Sequence, residues 1–192
     1  RNCLVGSEMC IRDSYKGLKM RMPGLGGRTI GKLGATAVLM GGPDILTSLA
    51  SGAIDAAEWI CPIADLGLGM HQAAKFYYGP GWHEPSTLLD LSIDLKEWEG
   101  LDADTQALMM EMAKAFNVDV FSRFQALNGP ALGKLLNEHG VQLKTFPDEL
   151  LIALGNAAGE VMEERGSINS QTKAICCLLY TSDAADDTLC VY

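Results

Sequence analysis

Residues 54–60, "IDAAEWI", alternate apolar and polar side chains with the two-residue period of a strand, placing Ile54, Ala56, Glu58 and Ile60 on one face and Asp55, Ala57 and Trp59 on the other. Upstream, "GLKMRM" (17–22) and "TAVLM" (36–40) also read as strands. The first is followed by a glycine-rich turn, "PGLGG", and a short helix, "RTIGKLG"; the second by a helix, "GGPDILTSLASG", with Pro43 near its first turn and Gly52 as its stop. The order β-α-β-α-β predicts parallel pairing in an open sheet, with ligands beyond the carboxyl ends of the strands. Arg21 and Glu58 stand at such ends.

After Pro62 the pattern loosens through "ADLGLGMHQAAK", "FYYGPGWHEP" supplies aromatics and turn residues, and "STLLDLSID" predicts another strand. From Asp102 to about Glu138 the period becomes helical, with Leu108, Met112, Phe116, Val120, Phe124 and Leu127 at three- and four-residue spacing and a break expected near Gly129 and Pro130. "HGVQLKTF" then predicts a helix stop and a strand, and "PDELLIALGNAAGEVMEE" a final helix opened by Pro147 and Asp148. There is no internal repeat.

Composition places the chain among globular proteins of about one domain, with a core of useful size: 192 residues, 48% of them hydrophobic. A formal net charge of −9, with no Lys/Arg cluster, argues against nucleic acid and anionic membrane surfaces as partners. No uninterrupted apolar run approaches the ~20 residues of a membrane helix. Cys3, Cys10, Cys176, Cys177 and Cys190 crowd the two ends, whereas residues 15–165 contain only Cys61, and the spacing fits no zinc pattern. "RNCLVGSEMCIRDS" and "CCLLYTSDAADDTLCVY" also lack the periodicity of the middle and look like translated sequencing-adapter read-through. Residues 1–14 and 166–192 are therefore expected to be non-native segments around a folded region, 15–165.

Several motifs carry candidate chemistry. "GGRTIGKL" (26–33) approaches the phosphate loop, but Leu33 stands where a Ser or Thr would bind magnesium, and "GLGGRT" has Thr29 in place of a third glycine. Glu58 shares the apolar side of its strand, so either a cation lies near it or the strand opens there into a polar cleft. Arg21, between Met20 and Met22 and before a Pro-Gly turn, is either an outward strand residue or a fixed guanidinium fork for a carboxylate. Glu58 and Glu84 are either solvated loop acids, oxygen ligands of a hard cation, or the acid-base pair of a small α/β hydrolase-like enzyme, for which no nucleophile stands out. His71, His83 and His139 are too scattered for a zinc triad and read as surface or cleft-rim residues. Trp59, Trp82, Tyr77 and Tyr78 fill core or line a cleft, and Met109, Met110 and Met112 read as helix packing.

"YKGLKMRMPGLGG", "LGATAVLMGGPDILTSLASGAIDAAEWICP", "FYYGPGWHEP" and "HGVQLKTFP", in that order, resemble the solute-binding proteins of TRAP transporters, in particular their 2-oxoacid-binding branch. The resemblance covers about residues 15–165. It implies an α/β fold of the periplasmic binding protein type II-like kind, of which this chain is a fragment with mainly the second lobe and a long connecting helix. It implies transport rather than catalysis: a periplasmic subunit that closes on a small organic acid, a 2-oxoacid such as pyruvate or a lactate-like monocarboxylate, and delivers it to the TRAP membrane permease. The family's carboxylate-binding arginine falls on Arg21. Its bridging Na⁺ or Ca²⁺ falls on Glu58, the backbone of Trp59 and the further acid Glu84, with Trp59 also at the ligand. Relatives often carry Trp where this chain has His83. Such proteins run to about twice the core length, so the leader and most of the first lobe are expected to lie outside this chain, which alone should bind weakly or not at all. A C-terminal helix exchanged between subunits makes the family's homodimer, and that segment is expected to be cut after Glu164.

Overall fold

The computed structural model describes residues 15–83 and 90–176, together with the backbone of 3–5. The elements in chain order are β1 (Cys3–Val5), β2 (Lys19–Arg21), α1 (Gly24–Lys32), β3 (Thr36–Val38), α2 (Gly42–Ser51), β4 (Ala56–Ala57), α3 (Pro62–Gly67), a 3-10 turn (Met70–Gln72), β5 (Phe76–Gly79), α4 (Leu95–Glu99), α5 (Ala103–Asn137), β6 (Gln142–Thr145) and α6 (Asp148–Gly166). The strands form one sheet in the order β3-β2-β4-β1-β5-β6.

The expected β-α-β-α-β unit is present: β2 pairs in parallel with β3 on one side and β4 on the other. With β3 and β4 on opposite sides of β2, the strand order reverses direction there, and such a reversal opens a crevice at the strands' carboxyl ends. β1, from a segment the sequence reading set aside, inserts antiparallel between β4 and β5, making the sheet mixed. Adjacent residues of the central strands divide between two cores as the strand period requires. Ala56 and Tyr78 join Met20, Met22, Ile30, Leu150 and Leu154 on the face covered by α1 and α6. Ala57 and Tyr77 join Ile45, Leu49, Met70 and Leu135 on the face covered by α2, the 3-10 turn and the end of α5. The result is a helix-sheet-helix sandwich.

Several local expectations are corrected. The "PGLGG" turn is the start of α1, with Pro23 at its N-cap. The phosphate-loop near-match thus lies in a helix and offers no cradle of loop amides. "AIDAAEWI" pairs only at Ala56–Ala57, and Ile60 is largely exposed. "FYYG" is a strand whose tyrosines fill opposite cores; burial on both faces had hidden its alternation. "IADLG" is helical, opened by Pro62. The strand expected at 86–94 falls partly outside the described residues, and 90–94 belong to no strand.

α5 runs unbroken through Pro130, a position that ordinarily costs a helix interior about 3 kcal/mol. Ala131 and Leu135, buried immediately beyond the proline, anchor the turns that follow it. At 35 residues the helix is about 52 Å long. Asp102 fixes its start by accepting the N–H of Thr105 at 2.9 Å. The apolar stripe expected to pack is largely exposed: Leu108, Met112, Phe116 and Leu127 face solvent, as does Met110, which was read as helix packing. Leu135→Ala, at a site with 0% exposure, should cost about 2–5 kcal/mol. Phe116→Ala, at 66% exposure, should change stability by less than about 0.5 kcal/mol. Urea unfolding of both variants checks this; equal losses would mean that the exposed stripe is packed in solution.

Candidate functional site

The crevice at the end of β2 is lined by what three parallel strands deliver. Arg21 ends β2 and registers with Ala57, the last residue of β4, so Glu58 follows one step beyond and donates its N–H to the Arg21 carbonyl at 3.0 Å. The Arg21 side chain then turns across the strand ends. Its Nη1 donates to the Glu58 carbonyl at 2.8 Å and to Glu58 Oε2 at 3.0 Å, and its Nε donates to the carbonyl of Met40, beyond β3, at 3.3 Å. Arg21 is 7% exposed and Glu58 4%. Two charges buried so deeply persist because each is paired and hydrogen-bonded; losing one partner typically costs 3–5 kcal/mol.

Trp59 supplies the wall. Arg21 Cζ lies 4.8 Å from the centroid of its ring, within cation–π range. Gly42, at the start of α2, lets the indole sit that close to the helix, since a Cβ there would fall 2.9 Å from Trp59 Cη2. The structure therefore brings Arg21, Glu58 and Trp59 together, whereas Glu84 lies outside the described residues. Both answers to the position of Glu58 hold at once: a cation lies beside it, and the strand opens there. Arg21 Nη2 makes no hydrogen bond among the described residues, and Glu58 Oε1 is not taken up by Arg21.

Sequence reasoning missed three contacts: His83 with Glu58, Tyr77 with Asp65, and His71 with His139. His83 is no rim residue. Its side chain is 9% exposed, and Nε2 lies 3.3 Å from Glu58 Oε1, yet among the described residues neither ring nitrogen has an aligned hydrogen-bond partner. Gly26 of α1 lies beside the ring: a Cβ there would sit 3.4 Å from His83 Cδ2, an ordinary contact distance. Behind the site, Asp65 of α3 is 1% exposed and accepts the Tyr77 hydroxyl at 2.5 Å on Oδ2. His71 and His139, distant in sequence, meet with ring centroids 4.0 Å apart. Burial, then the neighbouring His139, lowers the His71 pKa. Burial pushes the Cys61 thiol up, making it a poor nucleophile. Among the described residues no three His, Cys, Asp or Glu side chains gather as a metal cluster, and no helix is long and apolar enough to cross a membrane.

Residues 12–167 match the family described as bacterial extracellular solute-binding protein, family 7. The monocarboxylate 2-oxoacid-binding periplasmic protein of a Nostoc species is 38% identical over 163 residues, covering 85% of this chain and 44% of that protein. A TRAP periplasmic solute-binding protein of Colwellia psychrerythraea, crystallised with calcium and pyruvate, superposes with a TM-score of 0.82 at 30% identity, over 96% of this chain and 58% of that one. One from Pseudoalteromonas atlantica, with sodium and pyruvate, gives 0.83 at 30% identity over the same shares. One from Bordetella bronchiseptica, a dimer with calcium and picolinate, gives 0.81 at 31%, over 95% of this chain and 56% of that one. The chain thus spans about half the length of the relatives it matches.

Burial raises the Asp65 pKa from 3.8 to about 7, against the opposing hydrogen bond from Tyr77, and the charge of Glu58 adds to the rise. Between those values the folded protein keeps a proton that the unfolded chain has released. The stability tied to Asp65 is therefore complete below about pH 4 and lost as the pH climbs through about 7. Asp65→Asn retains an acceptor for Tyr77 and should flatten that decline, gaining on the order of a few kcal/mol over the parent at pH 8 relative to pH 4. Urea unfolding across this range checks it; equal slopes in both proteins would assign the proton elsewhere.

Proposed function

Because the chain belongs to the bacterial extracellular solute-binding proteins of family 7, we propose that it is the ligand-gripping half of a periplasmic TRAP solute receptor. Its cargo on this reading is a small 2-oxoacid such as pyruvate, or a lactate-like monocarboxylate, and its partner the TRAP membrane permease. The names and bound ligands of the relatives support that class. The observation that carries it is the buried Arg21 guanidinium, held at the strand-order reversal with Nη2 without a hydrogen-bond partner among the described residues. Nη1 and Nε are committed to the protein, so Arg21 meets the incoming carboxylate already fixed in place. Trp59 packs on the guanidinium and keeps water from that side.

Glu58, the backbone carbonyl of Trp59 and Glu84 would hold a bridging Na⁺ or Ca²⁺, a donor set of the oxygen type such ions favour. When bound, the ion would neutralise both protein and ligand carboxylates and let a 2-oxoacid present its keto oxygen as well. Glu58 fits this task, since Oε2 is fixed by Arg21 and Oε1 faces the other way. The acid-base alternative for Glu58 and Glu84 finds no support: Glu58 is tied to Arg21, and the family matched is one of solute binding. Residues 15–165 form the receptor-derived part on this reading. The exposed stripe of α5 suits a helix that packs against the first lobe of the longer relatives, and a homodimer belongs to the intact protein.

Thermal-shift and calorimetric titration with pyruvate provide the test. With Na⁺ or Ca²⁺ present, the chain should respond only at about millimolar ligand or above, since half a cleft cannot exclude water. Arg21→Lys, which keeps the charge and loses the fork, should weaken the response at least about tenfold. Micromolar binding by the chain alone, or a response indifferent to Arg21→Lys, would overturn this reading.

A further inference from the structure

His83 is the feature that the proposed receptor role leaves without a task. Its side chain is nine-tenths buried, and among the described residues neither ring nitrogen has a hydrogen-bond partner. Burying polar atoms unpaired costs stability, so folding alone gives no reason for an imidazole at this position. The ring is also confined. Trp82, itself packed against the core beneath α1 and α6, lies at its side with ring centroids 5.1 Å apart and planes tilted by 58°, and α1 passes its Cδ2 corner at Gly26.

Glu58 shows which ring atom matters. His83 Nε2 lies 3.3 Å from Oε1, while Arg21 Nη1 holds Oε2 at 3.0 Å. A lone pair on Nε2 would stand against those of the carboxylate oxygen, so the proton of the neutral ring resides on Nε2. That N–H is not aligned with Oε1 and makes no hydrogen bond to it. Two donors therefore flank one carboxyl group: a guanidinium on the Oε2 side, whose Nη2 has no partner among the described residues, and an imidazole N–H on the Oε1 side, likewise without one. A guest whose carboxylate meets Arg21 reaches the second donor only through another acceptor oxygen close to that carboxylate. A 2-oxo or 2-hydroxy group is such an oxygen.

Resting on the proposed receptor reading, we infer that His83 is a specificity-determining residue of the ligand site, its Nε2–H donating to the oxygen on the carbon next to the cargo's carboxylate. The bridging ion remains Na⁺ or Ca²⁺, held by oxygen donors, and the imidazole takes no part in its binding. An oxygen that meets the ion with one lone pair has a second for the N–H. A carboxylic acid without that oxygen leaves the buried N–H unpaired, and a site built to pair a substrate oxygen rejects the analogue that lacks it.

Pyruvate and propionate, which lacks the oxygen, are the probes, titrated into the full chain with Ca²⁺ present and followed by NMR at about millimolar concentration and above. The chain has three histidines, so each imidazole nitrogen signal is assigned by its loss in a single variant. Pyruvate should shift the Nε2 signal of His83 and leave those of His71 and His139 in place; propionate should move none of them. His83→Phe should lower the preference for pyruvate over propionate by about threefold to tenfold, and His83→Gln, whose amide N–H reaches the same place, should recover part of it. Circular dichroism and melting establish that each variant is folded, and the signal of the unaltered chain decides the matter even where His83→Phe is not. An Nε2 signal indifferent to pyruvate, or a His83→Phe variant that weakens both acids equally, would overturn the inference; the receptor reading stands in that case as long as Arg21→Lys still weakens pyruvate. Pyruvate binding indifferent to both His83→Phe and Arg21→Lys would overturn both.

Discussion

The ion pair between Arg21 and Glu58 is the constraint around which the rest of the site is arranged. Neither charge could stay so deeply buried alone, and the pair is tolerated because the guanidinium also satisfies two backbone carbonyls, those of Glu58 and Met40. Those carbonyls lie at the ends of neighbouring parallel strands. The side chain that neutralises the acid therefore also ties together three carboxyl ends, at the point where the strand order reverses. Geometry and charge are inseparable here: a crevice at a strand-order reversal gains a function once a fixed donor edge and a fixed acceptor atom face into it.

Much of this was legible in the sequence, for identifiable reasons. An acid on the apolar side of a strand demands a cation, and an arginine before a Pro-Gly turn at a parallel strand end is a candidate to supply it. The β-α-β-α-β order fixed that both would lie at the same edge, and the four motifs from "YKGLKMRMPGLGG" to "HGVQLKTFP" pointed to the family that the match over residues 12–167 shows. The failures share a different cause. "FYYG" gave no strand signal because Tyr77 and Tyr78 are buried on opposite faces, so nothing polar marks the period. The glycines before Arg28 read as a turn but belong to a helix that lies close against His83. The approach of His83 to Glu58, and of His71 to His139, spans sequence separations that no local period encodes. Pro130 read as a break because the packing of Ala131 and Leu135 that carries the helix past it is tertiary.

A second buried polar pair lies behind the first. Tyr77 and Asp65 join β5 to α3, and α3 follows directly from the strand end that presents Glu58 and Trp59. A carboxyl kept partly protonated can sit there without adding a full negative charge next to Glu58, whose own charge is already balanced by Arg21. The acid behind the site is thus positioned by a hydroxyl, and the acid within it by a guanidinium.

The two ends of α5 sharpen what the site depends on. Its last turns are packed through Leu135 into the same core as Ala57 and Tyr77, whereas the stripe from Leu108 to Phe116 stands in solvent. Arg21, Glu58 and Trp59 are carried by strand ends set between the two cores, and none of them depends on that stripe for its position. The donor atoms are therefore held in place by this chain alone, as a preorganised site requires. On the proposed receptor reading, what the exposed helix bears on is enclosure: the number of walls around a ligand would decide how much water competes with Arg21 for a carboxylate. On that reading, affinity separates into a part set by fixed charges and a part set by closure, and the fixed charges Arg21 and Glu58 are held by this chain.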